Sequence, residues 1–353
     1  MLFQPKSKPM LGLDISTSSV KVIELSQTKA GYRVDHYAAE PTPPDAIADK
    51  NIVDVDATGD ALRKAVKRSG SRTKEAAVAI GGASVITKMV ALPAVLSDRE
   101  LEDQIEGQAE QYIPFPLEEV SYDFEVQGPS ETDPDMVDVL IAATRTENVE
   151  HRQAVVEAAG LTAKVVDIES YALENACGLL THQMPDQGLD KTIAVVDFGA
   201  TTTTFNILND RKVAYTRDQA FGGRQLTEEV MRTYGLSYEE AGKAKKEGGL
   251  PGNYEADVLE PFIDDMAQQI NRSLQFYQSS AGDHGQLDQI IVCGGCAAIP
   301  GVDQKIQERL DVATVIGNPF GEMKLSSRAR AQNVEKDAPA LMIGCGLALR
   351  SFD

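Results

Sequence analysis

The sequence predicts an α/β protein built as two related domains facing each other across a cleft, with a small α/β subdomain inserted in the first. Three observations predict it. The segment Leu11-Gly12-Leu13-Asp14-Ile15-Ser16-Thr17-Ser18-Ser19-Val20-Lys21 runs apolar strand, aspartate, hydroxyl-rich turn, second strand. Val195-Val196-Asp197-Phe198-Gly199-Ala200-Thr201-Thr202-Thr203-Thr204-Phe205 repeats that order far downstream, as a duplicated domain would. Residues 84–160 carry their own strands and helices between the two hairpins, and 353 residues leave room for separate cores.

Bulk numbers narrow the classes. Hydrophobic content of 42% and charged content of 25% are those of a globular protein. No apolar run reaches the roughly 18 residues a membrane span needs, and Met1 to Met10 lacks the apolar stretch of a signal peptide. The expected location is therefore cytoplasmic. A net charge of −20 without a basic cluster argues against nucleic acid as a partner.

Element by element, residues 11–25 read as two strands around the Asp14 turn, and 40–56 as a proline-rich loop. A helix over 58–68 ends at Ser69-Gly70, and Ala76 to Ile80 is a buried strand. In the inserted block, Thr87 to Leu92 is a strand, and Ser97 with Glu100 opens a helix over 98–111. Pro114 and Pro116 keep the next stretch extended and fix Phe115. Strands at 121–127 and 136–144 precede a helix over 147–159. Residues 167–180 read as helix, 193–216 as the second hairpin set, and 225–281 as mostly helix. Ile290 to Val292 is a strand entering the glycine turn at Gly294-Gly295, followed by a helix to about Leu310. Residues 321–337 read as exposed loop, and 339–349 as a small-residue helix with a short tail. The boundaries expected are 1–83 with 161–190 for the first core, 84–160 for the insert, 191–220 with 286–353 for the second core, and 221–285 for a helical subdomain.

The chemistry of the two turns suits phosphate. Backbone N–H groups and the hydroxyls of Ser16, Thr17, Ser18, Ser19, Thr201 and Thr202 can donate to phosphate oxygens, beside Gly199 and Ala200. Asp14 and Asp197 would repel the same phosphates unless a divalent cation lay between them, and Mg²⁺ bridges carboxylates and phosphates while keeping its waters. Gly222-Gly223 before Gln225 can bring a helix N-terminus to an anion. Gly294-Gly295 before Cys296 exposes a flat backbone for a purine. Of Lys243, Lys245 and Lys246, the last two are candidates for the adenosine end. Cys293-Gly294-Gly295-Cys296 has a CxxC form, but no further ligands complete a zinc site. No GxxxxGK[ST] or GxGxxG turn occurs, and the histidines stand apart from any nucleophile elbow.

Together these segments resemble the actin-like ATPase superfamily over nearly the whole chain. Residues 11–21 and 195–204 match its two phosphate loops, 290–301 its adenosine loop, and 167–177 and 338–349 its connecting helices. The insert at 84–160 stands where the FtsA and PilM families carry an extra subdomain. Tyr112-Ile113-Pro114-Phe115-Pro116-Leu117-Glu118-Glu119-Val120 is most similar to PilM, the type IV pilus assembly family. The resemblance implies ATP and Mg²⁺ in the cleft, with Asp14 and Asp197 holding Mg²⁺ through water and Lys21 among the nucleotide-binding residues. It also implies a groove between the first core and the insert for the N-terminal cytoplasmic tail of the inner-membrane protein PilN. Glu169 aligns with the acid that positions attacking water in hydrolytic members, with Ser170 in place of the usual proline. Gly242 stands where many relatives place a ribose-binding glutamate. The expectation is ATP binding with slow or absent hydrolysis; a filament-forming scaffold and a small-molecule kinase are the alternatives within the superfamily.

Overall fold

Alternating and continuous apolar runs build the first sheet of this computed structural model, which describes residues 9–29, 31–48, 50–81, 84–130, 133–281 and 287–353. The N-terminal stretch before residue 9 lies outside the described residues. β1 (Leu11–Ile15), β2 (Ser19–Thr28) and β3 (Gly31–Pro41) form an antiparallel meander. β4 (Ile47–Ala48) and β5 (Asn51–Ile52) pair as a small separate hairpin inside the stretch expected to be loop. α1 (Val55–Ser69) starts where the Asp54 carboxylate accepts from Ala57 N and stops at Gly70, whose φ of 69° closes the C-terminus. β6 (Glu75–Ile80) then lies parallel to β1.

The insert folds as a three-stranded antiparallel sheet backed by a helix. β7 (Val85–Pro93), α2 (Asp98–Tyr112), β8 (Val120–Pro129) and β9 (Met136–Arg145) follow in turn, with sheet order β7-β9-β8. Ser97 opens α2 as expected, its N–H and hydroxyl both donating to Glu100. Phe115 packs with Ile113, Val120 and Ala143 while the Arg145 guanidinium sits over its ring at 5.0 Å. The next helix, α3 (Thr146–Ala158), belongs elsewhere than the sequence placed it. Its Val155 and Val156 share one buried cluster with Leu62 of α1 and Val78 of β6, so it backs the first sheet and not the insert. β10 (Thr162–Ile168) pairs with β6, which moves the start of the connecting helix α4 (Glu169–Cys177) two residues later than expected. Its β-branched Val165 and Val166 favour that extended pairing.

The second half repeats the plan. β11 (Thr192–Phe198), β12 (Thr203–Asn209) and β13 (Lys212–Gln219) form a meander, and after α5 (Gly223–Tyr234), α6 (Tyr238–Glu247) and α7 (Glu260–Ala281) come β14 (Gln289–Cys293), α8 (Val302–Leu310) and β15 (Thr314–Ile316). The first sheet orders as β10-β6-β1-β2-β3 with one added edge strand, and the second as β15-β14-β11-β12-β13. Each domain thus has a meander with two parallel strands beside its first member, which is the duplication read in the hairpins. The added edge strand, β16 (Lys324–Leu325), pairs with β3. With α9 (Ser327–Ala331) and α10 (Val334–Asp337) it replaces the exposed loop expected there, because Ala329 and Val334 are fully buried. α11 (Met342–Leu349) closes the chain, and the tail is held: Arg350 Nε donates to Asp167 and Ser351 Oγ accepts from Met10 N.

α4 and α11 lie between the two sheets. Leu173 and Cys177 of α4, Met342 and Cys345 of α11, Ile23 of β2 and Ile291 of β14 belong to one cluster. Each large apolar side chain buried there contributes about 1.5–3 kcal/mol, so the floor of the cleft is firmly held.

Candidate nucleotide cleft

Strand register delivers the first acid. Asp14 sits at the end of β1 opposite Lys21 on β2, and the Lys21 ammonium donates to its carboxylate at 2.6 Å. Burial works against the Lys21 charge, but Asp14 outweighs it and holds the pKa above the ordinary value. In the turn itself, the Ser16 hydroxyl donates to Ser19 O at 2.9 Å and Thr42 Oγ1 donates to Ser16 O at 2.7 Å. Ser16 therefore spends its side chain on closing the loop, while Thr17, Ser18 and Ser19 rim it on its partly or fully exposed side.

The second loop, the helix start and the Gly294-Gly295 turn form one packed unit. Gly223 N donates to Gly199 O at 3.0 Å and Arg224 N to Ala200 O at 2.8 Å. A Cβ at Gly222 would stand 2.6 Å from the Ala200 carbonyl, so only glycine fits. Gly294 has φ +84° and lies against the Phe198 backbone, while Gly295 is exposed and an added Cβ there would meet nothing within 4 Å. Cys296 is buried with its thiol toward Gly199 O at 3.7 Å, and burial pushes it up to about 12. All four cysteines are free and buried, and burial holds each thiol protonated, which fits neither zinc nor thiol exchange. Lys245 donates to Gly223 O at 2.9 Å and to Thr227 Oγ1 at 2.6 Å, bracing the start of α5. Gln225 is exposed in that first turn, Thr201 and Thr202 line the loop, Gly242 borders open space, and the side chain of Lys246 lies outside the described residues.

Charge converges from both domains. Asp197, at the end of β11, is pushed up to about 7 by burial and by the charge of Asp14, against the opposing pull of Lys21 and Lys50. Glu169, the first residue of α4, is 8% exposed and accepts from Lys50 Nζ at 2.6 Å. Lys50 also feels Asp218 of β13. Asp14, Asp197, Glu169 and Asp218 thus face Lys21 and Lys50, and the negative charge of Asp14 and Glu169 adds to burial in raising Asp197. A divalent cation would balance it. Among the described residues no group of three or more acids, histidines or cysteines converges as a metal site. The carboxylates fit a cation that takes its remaining oxygens from water and phosphate, as Mg²⁺ does.

The protonation of Asp197 makes a prediction for the nucleotide-free protein. Its folded pKa lies above its unfolded value, so its contribution to stability is complete below about pH 4 and is lost as pH rises through 7. Asp197→Asn removes that loss. Thermal melts should show the variant gaining on wild type between about pH 4 and 7, by roughly 1–3 kcal/mol, with a plateau above. A difference independent of pH would contradict it.

Comparison with known proteins decides the family. The family model described as Type IV pilus assembly protein PilM matches residues 12–352. The chain belongs to the PilM family. Among solved structures, this PilM-family fold superposes on the PilM-PilN type IV pilus biogenesis complex with a TM-score of 0.83 at 24% identity, covering 99% of this chain and 100% of that one. It superposes on MreB5 of Spiroplasma citri bound to ADP with a TM-score of 0.50 at 13% identity, covering 97% and 95%. Cell division protein FtsA of Bacillus subtilis (strain 168) is 23% identical, over 88% of this chain and 78% of that protein. These likenesses establish an actin-like fold. No helix among the described residues is long and apolar enough to cross a membrane.

For this PilM-family chain the structure adds residues that motif reading missed. Lys50 comes from a loop read only as proline-rich, and Asp218 from just past the hairpin set read at 193–216, on a strand that runs to Gln219. Arg152, 3% exposed on α3, donates to Ile15 O at 3.0 Å and to Lys50 O at 2.7 Å. A lone basic residue in a helix carries no local sign of such a role.

Proposed function

We propose that this PilM-family protein is a cytoplasmic ATP-binding adaptor of the type IV pilus assembly machine, gripping the N-terminal cytoplasmic tail of inner-membrane PilN. One observation carries the nucleotide half: two hairpin loops from duplicated sheets bring Asp14 and Asp197 close enough that one raises the pKa of the other. Mg²⁺ bound through water would balance this pair, and the backbone of Gly199, Ala200, Gly222, Gly223, Gly294 and Gly295 would cradle phosphates and base. When bound, the cation draws charge from the phosphates. The residues of the chain orient the nucleotide and limit water. Glu169 is already paired with Lys50, so its carboxylate is engaged and not free to position attacking water, which favours slow or absent hydrolysis.

The partner half rests on family membership and on likeness to a PilM-PilN complex. The surfaces of α4 and the insert support it. Tyr171 of α4 lies beside Thr87 of β7, and burial raises its pKa. Glu174 has its pKa raised by desolvation and by Glu125 of β8, so acidic groups meet between core and insert. An extended tail bound there would use backbone pairing and side-chain pockets together.

Calorimetric titration of Mg-ATP into nucleotide-stripped protein, with and without a chelator, tests the first half. Binding that requires Mg²⁺ is expected; none in either condition would refute it. Titration of a PilN N-terminal peptide tests the second. Glu174→Lys should weaken the peptide about 10-fold and leave nucleotide binding unchanged. Unaltered peptide affinity would move the groove elsewhere.

A further inference from the structure

Resting on the nucleotide reading above, we infer that Lys50 is a ligand of the terminal phosphate of a nucleoside triphosphate, and that Arg152 positions it. Lys50 hangs from the β4–β5 hairpin and, like Lys21, interacts with acids on both sides of the cleft. It donates to Glu169 at 2.6 Å and interacts with Asp218 and Asp197 of the second domain. A lysine ringed by carboxylates from two domains can keep Glu169 on one N–H and turn the others to a more strongly charged anion between the domains.

The backbone is built for this placement. Lys50 has φ 65°, the left-handed region that a lysine adopts at a cost. Arg152 holds it there, with one guanidinium nitrogen on Lys50 O and another on Ile15 O beside the first phosphate loop. Burial lowers the Arg152 pKa, but it feels both Glu169 and Asp14. The aliphatic stem of Lys50 crosses Gly81, where an added Cβ would lie 2.5 Å from Lys50 Cδ. Its neighbour Asn51 accepts from Ser84 Oγ at 2.9 Å, and Ser84 O accepts from Thr144 Oγ1 at 2.7 Å on β9. One short chain of contacts therefore links the first phosphate loop, Lys50 and the insert. A lysine drawn toward a terminal phosphate would pull on the hairpin that abuts the insert.

The test compares Mg-ATP with Mg-ADP in calorimetric titrations of wild type, Lys50→Ala, Lys50→Arg and Lys50→Ala/Glu169→Gln. ATP affinity is expected to fall about 10-fold in Lys50→Ala while ADP affinity changes less than about 2-fold. Lys50→Arg should keep most of the preference for ATP. The double variant leaves no buried carboxylate without its partner, so it reports the same selective loss if the single variant folds poorly. Equal losses for both nucleotides, or no loss for either, overturn the assignment. Failure of wild type to bind either nucleotide overturns the nucleotide reading instead, and this inference with it.

Discussion

Gly346→Ala is expected to destabilise the protein by about 3 kcal/mol or more, enough to deplete the folded state in chemical denaturation. A Cβ at Gly346 of α11 would fall far inside van der Waals contact with the Ala172 carbonyl oxygen on α4. The obstacle is backbone, so no rotamer change relieves it, and the two connecting helices must move apart. That opens the shared cluster containing Leu173, Met342 and Cys345 on which both sheets rest. Gly12 is similarly placed against the Gly344 carbonyl. Gly107, exposed on α2 with nothing near a Cβ, is the control. Its replacement by alanine should stabilise by about 0.5–1 kcal/mol through helix propensity. Similar behaviour of the Gly346 and Gly107 variants would show that the helix crossing is not close.

Asp14→Ala is expected to lower Mg-ATP affinity at least about 100-fold and to remove its dependence on Mg²⁺. Two losses combine: a carboxylate that would hold the hydrated cation, and the ion-pair partner of Lys21, which is only 14% exposed. Asp14→Asn keeps the shape and separates the two, since folding should survive while Mg²⁺ dependence is lost. Asp197→Ala should behave alike. Because Asp197 titrates near 7 in the nucleotide-free protein, cation binding there should release a proton and weaken as pH falls below 7. Calorimetry in buffers of different ionisation heats reads that proton. Mg-ATP affinity unchanged in both aspartate variants would refute the cleft as the nucleotide site.

The duplicated architecture was legible because its signals are local. An apolar strand, an aspartate and a tight polar turn specify a hairpin within a dozen residues, and recurrence specifies the second domain. Glycine turns such as Gly222-Gly223 and Gly294-Gly295 were legible for the same reason: bare backbone is needed wherever two chains touch. β3 was missed because its Arg33, Asp35 and His36 interrupt the apolar alternation that a half-buried strand shows, and only pairing with β2 and β16 sustains it. α3 was assigned to the insert by adjacency in sequence, although its valines pack under the first sheet.

At the cleft the division is the same. Asp14, Asp197 and the glycine turns follow from sequence alone, since their chemistry is written in consecutive residues. Ser16 and Lys245 carry suitable groups, yet the fold gives the Ser16 hydroxyl to its own turn and the Lys245 ammonium to the start of α5. Lys50, Arg152 and Asp218 are separated along the chain by whole elements, and nothing in their flanking residues distinguishes them from surface charges. The sequence determined which loops form and how many domains carry them. Only the tertiary structure decided which charges share one low-dielectric cleft, because electrostatic coupling depends on distance and burial and not on order along the chain.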